Sequence, residues 1–402
     1  MLKIGIIRED KIPIDKRSPL TPEQCQKMAK HFEVEVKVQE SDVRVFRPEE
    51  YTQHGIEIVG NINDCDILLG VKEVPNENLI PEKTYFFFSH TIKEQEYNRE
   101  LLRTILEKKI KLVDYECLLD PKSKQRIVAF GRFAGIVGAY NTIWTFGLRY
   151  NLFNIRRAHE CFDLADMKTE FDKVKLPAIK IAITGGGRVA KGAMEIMYGM
   201  DILQVTPHEF LTERFDRPVF AQLSSHTYHK KKDGTLFNRR EFYENPELYE
   251  GDFLKYTKVA DILIAGAYWD PRSPVLFSRE DAMQPEFKTR IIGDITCDIE
   301  GSIPSTKRPA TVDEPVYDYD PTTDSIEPEF SEESNITVMA VDNLPCELPR
   351  DASESFGQEM LDNVLPHLLG DDKYDVIKNA TIAENGKLTE RFSYLQDFVD
   401  GK

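Results

Sequence analysis

Residues 181–194 read IAITGGGRVAKGAM, an apolar run that passes straight into a glycine turn and then into a helical pattern. Such a junction constrains a chain severely. It commits the strand to a sheet, the helix to packing on that sheet, and the turn to the strand's carboxyl end, where open α/β sheets bind their ligands. Gly185 permits the tight turn and Gly187 lets a pyrophosphate approach bare backbone. Ala190 takes the third place of G-x-G-x-x-G/A, where a small residue allows close helix–sheet packing. Free N–H groups of the first helical turn then face the phosphates. The flanking pattern predicts a βαβ unit, with a buried parallel strand at 181–184, a helix over 190–200 and a second strand at 201–205.

A chain of 402 residues suits two domains rather than one core. The longest apolar runs, such as TYFFFS at 84–89, fall far short of the roughly 20 residues a bilayer demands, so no membrane span is expected. The opening residues MLKIGIIRED enter a strand at once and lack the regions of a secretory signal. Six cysteines without a C-x-x-C pair point to reduced thiols and a cytoplasmic setting. A net charge of -17 argues against nucleic acid as a ligand, since phosphate binding needs a basic footprint. Any anionic ligand must therefore meet cations gathered locally.

Taken in order, the chain opens with a strand at 4–7, and Arg17 falls on the loop beyond it, before a helix that Thr21 can cap. Strands and helices then alternate. Lys72 and Glu73 follow the strand DILLGV, while Ser89, His90 and Lys93 follow TYFFF. Glu116 ends LVDYE, and Arg126 precedes the apolar run VAF. Each alone reads as a solvated loop residue. Together, Arg17, Lys72, Glu73, His90, Lys93, Glu116 and Arg126 line one sheet edge and supply the missing local cations.

Residues 135–149 predict a long apolar helix leading into a second domain, and 151–180 read as a charged connection. The strand at 202–205 ends in the neutral Thr206, with Glu209 three residues on. An acidic residue at this tip would favour NAD, so NADP fits at least as well. Residues 215–253 look like a polar, aromatic insertion. Its His226 and His229, beside three lysines, make a poor metal site and read as a solvated loop, so no metal is expected. Apolar strands return at 261–269 and 290–298, the latter carrying Asp294 and Asp298 where a carboxylate could hold a ribose or an amine. Residues 305–335 read as a long loop with little core, followed by a strand, a turn with Asp342 and Asn343, and a helix from Ser353.

GVKEVP (70–75), TYFFFSHTIKEQE (84–96), VDYE (113–116), VAFGRFAGIVG (128–138), GDITCDIEGSIP (293–304) and VDNLPCELPRDASESFG (341–357) resemble the motifs of lysine-forming saccharopine dehydrogenases. That family is related to alanine dehydrogenase and the N-terminal domains of transhydrogenase. The turn ITGGGRVAKGAM, PHEF at 207–210, the insertion and the tail NGKLTERFSYLQDF are similar to the lysine–ketoglutarate reductase half of aminoadipic semialdehyde synthase. The resemblance implies an α/β fold of two Rossmann-like doubly wound domains with a cleft between them. The substrate domain is expected at 1–138 plus 345–402, and the dinucleotide domain at 139–344.

The resemblance also implies an oxidoreductase that interconverts lysine plus 2-oxoglutarate with saccharopine, using NADP or NAD. Lys72 and His90 match its acid–base pair. Arg17, Glu73, Lys93, Gln95, Glu116, Arg126 and Phe130 match substrate positions. Gly185, Gly187, Arg188, Val189, Tyr268, Asp294, Ile295 and Asp342 fall at the dinucleotide site. Two other readings stay open, an alanine-dehydrogenase-like enzyme and a non-catalytic dinucleotide-binding regulator, as does homo-oligomerisation.

Overall fold

Lys3–Ile6, the first apolar run, folds as a strand buried over most of its length and begins an eight-stranded sheet. The computed structural model describes residues 1–402 and divides into two units, Met1–Phe130 with Pro349–Lys402, and Gly131–Leu348.

In the first unit the sheet runs Lys387–Leu388, Thr381–Glu384, Lys111–Asp114, Thr84–Phe88, Ile67–Lys72, Lys3–Ile6, Glu35–Gln39, Glu57–Val59. Its six strands from Lys111–Asp114 to Glu57–Val59 are parallel. The chain moves outward from Lys3–Ile6 in one direction, then returns to place Ile67–Lys72 on its other side. That reversal is a topological switch point, where the loops beyond two neighbouring strands part and leave a crevice. Helix Pro22–Phe32 covers the sheet and opens with a capping box, Thr21 and Gln24 exchanging side-chain to backbone hydrogen bonds at 3.2 and 3.0 Å. Helix Pro349–Asn363 joins this unit from the far end of the sequence, Ser18 N–H donating to Ser353 Oγ at 2.9 Å.

In the second unit the order is Ser325–Glu327, Val316–Asp320, Ile336–Met339, Ile291–Asp294, Ile262–Ala265, Lys180–Thr184, Val219–Leu223, Leu203–Gln204. This corrects three sequence expectations. The short strand after the glycine-turn helix pairs with Val219–Leu223 and not with Lys180–Thr184. The segment 215–253 is therefore no mere insertion, because its residues Val219–Leu223 lie inside the sheet. Residues 305–335 are not a coreless loop either: Val316–Asp320 runs antiparallel to Ile336–Met339 and buries Tyr317 and Tyr319 almost completely.

The long apolar helix starts earlier than expected, as Gly131–Arg149, and crosses helix Arg188–Gly199 at backbone contact. A Cβ on Gly135 would lie 1.9 Å from the Val189 carbonyl oxygen, and one on Gly192 2.0 Å from that of Arg132. Only glycine admits this crossing. No helix is long and apolar enough to cross a membrane.

Candidate active site

Strand Ile67–Lys72 loses regular register with Thr84–Phe88 after Leu69. Its last N–H groups need another acceptor. Glu9, on the loop beyond the first strand, provides it: the carboxylate accepts from Val71 N–H at 2.7 Å and Lys72 N–H at 2.9 Å. Glu9 is buried, and burial with the neighbouring Asp15 charge pushes its carboxyl up to about 7 against the pull of those N–H groups. Asp114, also buried, plays the same part at the end of its own strand. It accepts from Ser89 N–H at 2.9 Å, from Glu116 N–H at 2.7 Å and from the Ser89 hydroxyl. Two buried carboxylates thus fix the backbone from which Lys72, His90 and Glu116 project. Sequence reasoning passed over both, although each stands at the carboxyl end of an apolar strand in the candidate unit.

Glu116 is the hub of the charged residues. Its carboxylate lies 3.2 Å from His90 Nδ1, 3.1 Å from Arg126 and 3.9 Å from Lys93. Burial pulls its carboxyl upward, but the His90 hydrogen bond and the Lys93 and Arg126 charges outweigh that and hold it at about 2. A carboxylate so firmly ionised can only accept, so His90 carries its proton on Nδ1 and leaves Nε2 for proton exchange. The His90 backbone is left-handed, with φ +55°, and its ring stacks on Phe88 at 6.3 Å. A non-glycine residue held there stores of order 1–3 kcal/mol of strain, and Ser89, bonded to Asp114 and across the turn to Thr91, maintains it.

Arg17 departs from the expected solvated cation. It is 2% exposed, pairs with Asp15 through Nη2 at 2.6 Å and Nε at 3.0 Å, and lies 4.0 Å from the Phe130 ring centroid. Phe130 in turn stacks on Phe356, with centroids 4.6 Å apart. Asp15 was not among the sequence candidates. Glu73 is paired with Lys11. Gln95 is exposed and accepts from the Tyr97 hydroxyl at 2.8 Å. Geometry therefore gathers His90, Lys93 and Arg126 around the Glu116 carboxylate, and sets Arg17 with Phe130 as an aromatic-backed guanidinium.

In the second unit Gly185 has φ +104°, and its Cβ would lie 3.0 Å from the Gly266 carbonyl oxygen. Its N–H donates to Leu223 O at 2.8 Å, and its carbonyl accepts from Gln222 Nε2 at 2.9 Å. Gly187 caps helix Arg188–Gly199 with no side chain of its own, and nothing lies within 4 Å of a Cβ built on it. Gly186, Gly187 and Arg188 are exposed, and Val189 packs against Gly266. An open helix start behind a bare glycine turn fits a dinucleotide's pyrophosphate.

The neighbouring strand tip differs from the expected one. Val219–Leu223 adjoins the glycine strand, so the adjacent tip is Ser224-Ser225-His226, which carries no carboxylate. Thr206 lies one strand further out, and Glu209 is engaged with it in a capping box. Tyr268 is 84% exposed, Ile295 packs against Gly138, and Asp342 is exposed. Asp294, by contrast, is turned inward. At 1% exposure it accepts from Thr296 Oγ1 at 2.6 Å and Thr306 Oγ1 at 2.7 Å, so it pins the loop rather than offering a ligand its oxygens. His229, expected in a solvated loop, is buried in strand His229–Lys231.

Residues 5–137 match the family model described as alanine dehydrogenase/PNT, N-terminal domain. The mitochondrial alpha-aminoadipic semialdehyde synthase of Mus musculus is 32% identical over 453 residues, covering 99% of this chain and 48% of its own. The likeness to the synthase runs along nearly the whole of this chain. The chain spans about half the length of the synthases it matches. The saccharopine dehydrogenase [NAD(+), L-lysine-forming] of Emericella nidulans is 24% identical, covering 89% of this chain and 90% of that one. Among solved structures an L-alanine dehydrogenase aligns over 100% of this chain and 99% of its own, with a TM-score of 0.65 at 16% identity. That likeness shows the two-domain α/β fold of this chain.

Proposed function

We propose that the chain is a nicotinamide-dinucleotide oxidoreductase that interconverts lysine plus 2-oxoglutarate with saccharopine. The unit Met1–Phe130 with Pro349–Lys402 supplies the substrate chemistry, and Gly131–Leu348 the coenzyme site. Likeness to the synthases and saccharopine dehydrogenases supports this reading. The observation that carries it is the Glu116 hub: one ionised carboxylate orients a histidine and draws two cations to it, in an otherwise acidic protein. A substrate pair carrying three carboxylates and two amines needs both signs of charge close together.

The chemistry joins the lysine ε-amine to the keto carbon with loss of water, and the resulting imine is reduced. The coenzyme, held at Gly185, Gly187, Arg188 and Val189, supplies hydride when bound. His90 Nε2 exchanges the proton that accompanies water loss, with Nδ1 anchored on Glu116. Lys72 takes the second proton-transfer role, its backbone fixed by Glu9. Arg126 and Lys93 meet substrate carboxylates while Glu116 offers its remaining capacity to an amine. Arg17 and Asp15 form a net-neutral pair, so the guanidinium orients a carboxylate by the direction of its N–H groups more than by net charge. Both coenzymes are admitted, and the carboxylate-free tip Ser224-Ser225-His226 leaves room for the 2′-phosphate of NADP. The six cysteines form no disulfide, which suits a reducing compartment.

The test is coenzyme oxidation by the purified chain with lysine and 2-oxoglutarate, supplied together and singly. Turnover that requires both and yields saccharopine supports the proposal. Turnover with pyruvate and ammonia alone assigns the chain to alanine-dehydrogenase-like chemistry, and binding without turnover on any pair makes it a dinucleotide-binding regulator.

A further inference from the structure

Thr184 and Ala265 are paired residues at the ends of neighbouring strands, immediately beside the Gly185 turn. They also form one wall of a cavity of about 80 Å³. The facing wall comes from the segment whose role the sequence left open. Tyr228, His229 and Phe242 line it, together with Trp269 from the loop beyond strand Ile262–Ala265.

This wall is built, not loose. Strand His229–Lys231 pairs antiparallel with Tyr249–Gly251. Phe242 is buried, its ring 4.6 Å from that of His229 and 5.2 Å from that of Tyr249. The Trp269 indole is held by its Nε1–H, which reaches the carbonyls of Ser273 and Pro274 at 3.2 Å each. His229 is 8% exposed, and its Nδ1 lies 3.1 Å from the Ser225 carbonyl. A carbonyl only accepts, so Nδ1 bears the hydrogen and Nε2 is an acceptor. Burial lowers the imidazole to about 4, which keeps it neutral near pH 7.

The cavity therefore begins where a pyrophosphate would rest, is walled by aromatic faces, and has a buried ring acceptor, His229, in that wall. We propose that it seats the adenine ring of the dinucleotide and that His229 accepts a hydrogen bond from the adenine 6-amino group. Segment 215–253 then reads the base of the coenzyme. The inference rests on the dinucleotide reading above and goes further by assigning base selection to residues outside the glycine turn. Adenine is flat, stacks on aromatic rings, and presents a donor at position 6. Hypoxanthine has the same shape but presents a carbonyl there, which would face an acceptor with an acceptor.

Calorimetric titration of the full chain with NADH, NADPH and their nicotinamide hypoxanthine counterparts tests this. The wild-type protein is expected to bind the adenine form about tenfold more tightly, the worth of one buried hydrogen bond. His229→Leu brings the ratio close to one, while His229→Gln, whose amide oxygen can accept, keeps part of it; far-UV circular dichroism checks that both variants fold. Phe242→Ala weakens both forms alike. Equal wild-type affinity for the two bases overturns the inference and leaves the dinucleotide reading standing, as does a His229→Leu loss that is the same for both. Failure of the wild-type chain to bind any of the four overturns both readings.

Discussion

The Glu9 carboxylate accepts the backbone N–H of Lys72 at 2.9 Å, so a buried acid on one loop holds the backbone of the candidate catalytic lysine at the end of strand Ile67–Lys72. Such an arrangement ties the shape of the site to a single titration. Glu9 is pushed from the usual 4.5 to about 7. The folded protein therefore keeps a proton that the unfolded chain releases, and stability falls as pH rises from 4.5 toward 7, by an amount of order 3 kcal/mol. Glu9→Gln removes that slope. Melting temperatures of the two proteins are expected to lie closest at the acid end of this window, with the wild type losing stability across it and the variant staying flatter. Parallel curves contradict the assignment. Since the glutamine amide cannot accept from both N–H groups, kcat of the variant also falls.

Lys72→Met and His90→Gln are each expected to lower kcat by roughly 10²–10⁴-fold, the usual contribution of a positioned acid or base. Coenzyme affinity stays near the wild-type value, because neither residue belongs to the glycine turn. Steady-state kinetics alongside coenzyme titration separates the two effects, and near-wild-type kcat in both variants removes the acid–base assignment.

Glu116 is shifted the opposite way, held at about 2 despite its burial. It contributes stability above pH 4.5 that is lost as pH falls toward 2. Glu116→Gln should therefore flatten the acid limb of the melting-temperature profile. It also releases His90 Nδ1 from an ionised partner, with kcat reduced by roughly 10²-fold. Unchanged acid sensitivity contradicts the charge balance proposed for this hub.

Two glycines of the second unit give opposite expectations. Gly187 faces open space, so Gly187→Val is expected to melt like the wild type yet lose coenzyme binding, its side chain occupying the place of the pyrophosphate. Gly135→Val strikes the Val189 backbone and should destabilise the fold by several kcal/mol or prevent it, as overpacking at a rigid contact does. Thermal melts and coenzyme titration of the two variants read both outcomes.

The α/β class and its two sheets were legible in the sequence because buried parallel strands are written as unbroken apolar runs such as ILLGV and IAIT. Strand order was less so. Val219–Leu223 is a short apolar run among polar residues, and its place beside the glycine strand depends on long-range pairing that no local pattern encodes. The alternating VYDYD strand was masked by its two aspartates, one of which, Asp318, is buried and paired with Arg149 at 3.2 Å. Buried charge hid part of the site in the same way. Glu9, Asp15 and Asp114 look like solvent-facing acids in one dimension, and only the fold shows that each is enclosed by its partners. Arg17 was identified as a candidate, but its pairing with Asp15 was not, since an ion pair two residues apart on a loop has no periodic signature.

Saccharopine formation is tested by following the absorbance of reduced nicotinamide with purified protein, lysine and 2-oxoglutarate, with NADPH and NADH in separate traces and the product identified by mass. Oxidation that depends on both substrates and accumulates saccharopine is the predicted result. Oxidation only with pyruvate and ammonia, or none with any amine and keto-acid pair while the coenzyme still binds, would contradict it.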